Sequence, residues 1–246
     1  MPAVYKRMWK KVARMKHFST GIRRRGVVAA FGTMILAGAA SAGPQTSGTS
    51  GSTSGPSTVE GKFRLHKFEQ AIGEERYSIQ RSASGVEVTS SFEFTDRGTK
   101  VPLTAKLRTA ADLTPSFFSI QGDVARGTPI DASVEEVDRG IRVRLEKESK
   151  DSARPAKYFF IEGYAPAVMQ MMLIRYWNGA GRPKSLVTFP AGTLSIEDRG
   201  RDQFQIDGKT VTLERFSIAG LSWGRETLWL DDEKKSCGAD YGGRGV

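Results

Sequence analysis

The sequence predicts a mainly β protein of α+β type, a curled antiparallel sheet or half-barrel wrapped around one apolar helix. Two observations carry that expectation. Alternation of apolar and polar residues with period two dominates residues 59–230, the pattern of strands with one dry face and one wet face. One segment near residues 166–178 breaks it, running apolar almost all round and interrupted only by Gln170 and Arg175. A helix without a polar face must be buried, and a curled sheet is what this chain has to bury it with.

At the N-terminus, residues 1–25 hold nine Lys or Arg and no acid, and residues 26–42 (GVVAAFGTMILAGAASA) hold no charge. A basic stretch, a short apolar run and small residues at Ala40-Ser41-Ala42 are the parts of an export signal, with cleavage expected after Ala42. An uncleaved anchor is the alternative, but the run is short for a span and diluted by Gly and Ala. Arg24-Arg25 also loosely fits a twin-arginine signal, and Met15 is an alternative start. Residues 43–58 (GPQTSGTSGSTSGPST) hold no large apolar residue and are expected to form a flexible linker.

The charge pattern removes one function class. The chain's net charge of +10 suggests a nucleic-acid binder. Taking the leader's nine cations from 37 leaves 28 basic residues against 27 acids, so residues 43–246 sum to only +1. No basic excess remains for a folded face, and nucleic acid is not an expected partner.

In the β-rich domain, Phe63–Leu65, Tyr77–Ile79 and Phe117–Ile120 are short strand candidates. Val86, Val88, Ser90, Phe92 and Phe94 share one strand face. After Asp96-Arg97-Gly98, the residues Val101, Leu103, Ala105 and Leu107 repeat the pattern, so the pair reads as a hairpin. Ile141–Leu145, Tyr158–Ile161, Phe204–Ile206 and Val211–Ile218 continue the series, and Asp207-Gly208 is a tight-turn signal between the last two. Residues 146–157 read as a charged, solvated loop. The helix has Pro166 in its first turn and Asn178-Gly179 as its stop. Beyond Leu230, residues 231–246 lose all periodicity and are expected to be a disordered tail.

Little in this chain looks catalytic. Gly220-Leu221-Ser222-Trp223-Gly224 matches the G-x-S-x-G elbow of serine hydrolases, which needs a helix after it and a later histidine. The next residues alternate like a strand, and no histidine lies beyond His66. His17 and His66 with the single Cys237 do not make a metal site, so no metal or other cofactor is expected. Met169, Met172 and Tyr176 are either core or the lining of a pliable apolar pocket. Trp223, Arg225 and Trp229 share a strand face, where an arginine between two indoles either staples the sheet or presents a ligand platform.

Four segments together carry a resemblance: Phe92–Thr99, Gly163–Met172, Ile196–Asp202 and Trp223–Leu230. Over Phe63–Leu230 the chain resembles the β-rich N-terminal region of bacterial secreted amidohydrolases. The resemblance implies a partner domain that hydrolyses C–N bonds with a histidine- and aspartate-held metal, and none of those ligands is in this chain. The expected function is therefore an exported, noncatalytic module, periplasmic or extracellular, that contacts an amidohydrolase catalytic domain or descends from a truncated one. The alternative is a periplasmic carrier of an apolar, lipid-like small molecule held between sheet and helix. Membrane contact is expected only through the export signal.

Overall fold

Alternation in the sequence becomes two sheets and one buried helix. The computed structural model describes residues 56–67, 70–96, 99–124, 128–206, 208–221, 224–231 and 236–240. The export signal, nearly all of the linker, Arg97-Gly98, Asp207, Ser222 and Trp223 lie outside them.

The first sheet is an eight-stranded antiparallel meander. Its strands are β1 (Ser57–Lys67), β2 (Gln70–Ser82), β3 (Gly85–Asp96), β4 (Thr99–Thr109), β5 (Pro115–Val124), β6 (Thr128–Val137), β7 (Gly140–Leu145) and β8 (Glu148–Ser152), paired in that order. Registry explains how it makes a core. Val59, Ile79, Val88, Leu107, Phe118, Val134 and Val143 stand opposite one another from β1 to β7. From Ile79 to Val134 every member of that row is buried. The neighbouring inward row, Gly61, Tyr77, Ser90, Ala105, Ile120 and Ala132, is rich in small side chains.

The second sheet begins with β9 (Tyr158–Ile161), the helix α1 (Ala167–Gly179) and β10 (Leu186–Pro190). β9 and β10 are parallel, which a short turn cannot achieve, and α1 is the crossover. Antiparallel strands β11 (Gly192–Ile206), β12 (Lys209–Ala219), β13 (Arg225–Leu230) and β14 (Ser236–Asp240) complete it. Among the described residues neither sheet closes on itself, and both feed one hydrophobic core. The α1 helix packs against β3, β9 and β14, and its residues 167–174, with Tyr176 and Trp177, are all buried. The mainly β fold around one apolar helix is the architecture expected from the sequence.

Several elements depart from expectation. Pro166 occupies the N-cap position rather than the first turn. The charged loop at 146–157 contains β8: a sheet-edge strand with water on both sides has no dry face and hence no alternation. β11 begins twelve residues before Phe204, because a bulge between Asp198 and Arg201 breaks its phase. β10 was hidden by its terminal proline, and β6 by an inward set that includes only Ala132 between Ile130 and Val134. β1 starts at Ser57, inside the expected linker, and β14 lies inside the expected tail.

Burial of the helix's apolar residues makes it sensitive to truncation. Met172→Ala is expected to cost about 2–5 kcal/mol in denaturant unfolding, whereas Val187→Ala at an exposed strand position should stay within about 0.5 kcal/mol. Equal effects at the two positions would contradict this packing.

Candidate functional site

A helix buried inside a β protein brings its polar ends with it. The first backbone N–H groups of α1 have no partner within the helix, and Pro166 has no side chain that can cap them. The cap comes from the other sheet. Glu75 of β2 is wholly buried and accepts hydrogen bonds from the N–H groups of Ala167 (2.7 Å) and Val168 (3.1 Å) through its two carboxylate oxygens. The Ser90 hydroxyl of β3 donates a third, at 3.1 Å. Alternation places Glu75 there, in phase with Gly73, Tyr77 and Ile79 on the inward face of β2.

Two further acids are buried. Glu162, just after β9, accepts a 2.7 Å bond from the Tyr164 N–H, and Glu226 sits in phase with Leu228 and Leu230 on the inward face of β13. Gln170, also buried, donates to the Ala165 carbonyl at 3.2 Å, and its Oε1 has no hydrogen-bond partner among the described residues. At the other end of the helix Lys157 Nζ donates to the Ala180 carbonyl at 2.6 Å, placing a cation where the helix dipole is negative.

Burial pushes the Glu75 carboxyl up to about 7, although the N–H groups of Val168 and Ala167 and the Ser90 hydroxyl favour its ionised form. Burial likewise raises Glu162, against the N–H groups of Tyr164 and Gly163 and reinforced by the charge of Glu226. All three carboxyls are buried, and burial is the first cause of the raised values of Glu75 and Glu162.

The residues singled out in the sequence fall into two places. Met169, Met172 and Tyr176 are buried core, and the Tyr176 hydroxyl accepts a bond from the Tyr158 N–H of β9 at 3.2 Å. Arg225 and Trp229 lie on the outward face of β13. Arg225 pairs with Glu197 at 3.0 Å, and Trp229 Nε1 donates to Asp202 at 2.7 Å while its ring meets Phe204 edge-on. Trp223 is outside the described residues, as is Ser222; the next element in the chain is the strand β13 and not the helix a nucleophile elbow needs. Among the described residues no group of three or more His, Cys, Asp or Glu is placed to hold a metal ion.

The wet face of β1–β5 forms an open trough of about 800 Å³. Its hydroxyls come from Ser78, Thr89, Ser91, Thr104 and Ser119. Its cations are already paired: Lys62 and Arg76 share Glu74, and Lys106 pairs with Glu87. The trough is a solvated sheet face.

No protein-family model matches the chain, and no curated protein matches it. Among solved structures it is similar to a β-barrel-like protein of domain of unknown function DUF1849 from Brucella abortus. That match has 14% sequence identity and a TM-score of 0.45, and covers 76% of this chain and 91% of that chain.

The buried acids were missed in the sequence although two carry a legible signal. Glu75 and Glu226 are charged residues in phase with apolar neighbours on a strand, a placement that requires either a partner or a proton. Such groups tie stability to pH. Glu75 binds its proton more tightly in the folded state than at its ordinary value of 4.5, so its contribution to stability is full below about pH 4.5 and is lost as pH rises through about 7. Moving from about pH 8 to about pH 5 should add on the order of 2–3 kcal/mol from Glu75, with Glu162 acting in the same direction. Thermal midpoints across that range should rise toward acid, and Glu75→Gln should flatten the rise. An unchanged slope in that variant would assign the effect elsewhere.

Proposed function

We propose that this chain is an exported, noncatalytic β-rich module that works as a scaffold or partner-contact domain. One observation carries the reading: the space inside the curl is filled by the chain's own helix. Met169, Met172, Leu173 and Ile174 have no exposed surface at all, so no gap the size of a water molecule adjoins them. An apolar carrier would need such a gap between sheet and helix, and this weighs against the lipid-carrier reading. The polar groups inside are likewise turned toward the fold, since Glu75 holds the helix.

The rest of the proposal rests on sequence. The leader supports export to the periplasm or beyond. The segments Phe92–Thr99, Gly163–Met172, Ile196–Asp202 and Trp223–Leu230 support kinship with the accessory region of secreted amidohydrolases. On that reading the partner is an amidohydrolase catalytic domain, which supplies the metal chemistry in another polypeptide.

The expected outcome in purified protein is no turnover of amide or ester substrates above blank, with or without added zinc, and no change on Ser222→Ala. Fractionated cells should hold the protein outside the cytoplasm with Gly43 at its N-terminus. Zinc-dependent hydrolysis lost on mutation, or a lipid copurifying in stoichiometric amount, would overturn the noncatalytic scaffold.

A further inference from the structure

Among the described residues the two open sheets leave four edge strands, and their lengths differ. β8 has 5 residues, β9 has 4 and β14 has 5, whereas β1 has 11. β8 is protected in the usual way, by being short and charged. The four residues of β9 are all buried. β1 is paired only with β2 among the described residues, and Pro56–Glu60 and Lys62 are exposed. An edge strand of that length offers a row of outward backbone donors and acceptors.

The sequence along β1 is self-complementary in one register. Its regular pairing with β2 runs from Ser57 to Leu65, where a bulge interrupts it, and Gly61 is the midpoint of that run. Two copies laid antiparallel about a two-fold axis at Gly61 bring Glu60 opposite the second copy's Lys62, twice by symmetry. On the other face Val59 comes opposite the second copy's Phe63, also twice. Val59 is one of three large hydrophobic side chains exposed in the described fold, and Phe63 is only partly buried against the core. The two glycines meet at the axis. Gly61 is already required there, because a Cβ would overlap the Tyr77 ring that crosses it and stacks on Phe63.

We propose that β1 is a self-association edge, through which a second copy of this chain pairs antiparallel about Gly61 and joins the two eight-stranded sheets. Cross-strand opposite charges and apolar pairs each favour that register, and an isologous contact closes after two copies. The inference is independent of the accessory-domain reading, since it uses only the edge and its registry.

Sedimentation velocity on the full chain tests it, with each variant's thermal midpoint confirming the fold. The wild-type chain is expected to show a monomer–dimer equilibrium over about 1–200 µM. Glu60→Lys sets two cations against each other at both symmetry-related Glu60–Lys62 positions, and should weaken association by about tenfold or more. Lys62→Glu should weaken it similarly, and the double swap Glu60→Lys/Lys62→Glu should restore it. A monomer throughout, a dimer indifferent to Glu60→Lys, or a double swap no better than the single one would each overturn the proposal. Glu60 is exposed, so the single variant carries the test even if Lys62→Glu, which also removes a contact with Glu74, proves less stable.

Discussion

The structure depends on how a buried helix finds a partner for its first N–H groups. Nothing local can do it: Gly163-Tyr164-Ala165-Pro166 precede the helix, and none carries the short polar side chain of an ordinary N-cap. Glu75 does it from 92 residues away in sequence. The consequence is that α1 is complete only when the first sheet is already in place. The Glu75 cap thereby ties the second sheet's crossover helix to the first sheet, beside the hydrophobic core that both sheets feed.

The sheets are shaped to accept that arrangement. One inward row of the meander carries the large buried side chains Ile79, Leu107 and Phe118, and the next carries Gly61, Ser90, Ala105 and Ala132. Ser90 belongs to the row of small residues and serves as Glu75's third donor, so the shallow row and the helix cap meet at one position. On the far side, β9 sets Phe159 against the Tyr176 ring of the helix, while Phe160, on the strand's other face, packs beside Tyr158 and Phe189. The outward faces, by contrast, are cross-strand ion pairs such as Arg144–Asp131 and Arg142–Asp151, which are exposed and add little to stability.

Much of this was legible in the sequence where burial is one-sided. β9 and the helix, dry on every side, stand out as unbroken apolar runs, and the β3–β4 hairpin, β7 and β12 show their period because each has a single environment on each face. Elements without that contrast did not: β8 is wet on both sides, and β11 changes phase at its bulge. The export signal and nearly all of the expected linker fall on residues outside those described, the exception being the linker's end, where β1 begins at Ser57. The cap was hidden for a different reason. Alternation marks Glu75 as inward, but periodicity on one strand has no way to say that a helix end 92 residues later supplies its partner. Only the pairing of two sheets through the crossover brings them together.

An apolar helix poses one further problem, which the polar contacts answer. With hydrophobic residues on every side, α1 has no preferred facing, since any rotation buries a similar area. Directional bonds break that degeneracy. Glu75 fixes the N-terminal end, the Tyr176 hydroxyl receives the Tyr158 N–H, and Trp177 Nε1 donates to the Pro183 carbonyl at 2.9 Å. Arg182 then closes the C-terminal turn, with its N–H on the Trp177 carbonyl and its guanidinium 5.4 Å above the Trp177 ring. Each bond is worth little in net stability against solvent, but a rotated helix would leave its buried groups without partners at a cost of roughly 1–3 kcal/mol each. Hydrophobic burial thus decides that the helix lies inside, and a few buried polar atoms decide which way it faces.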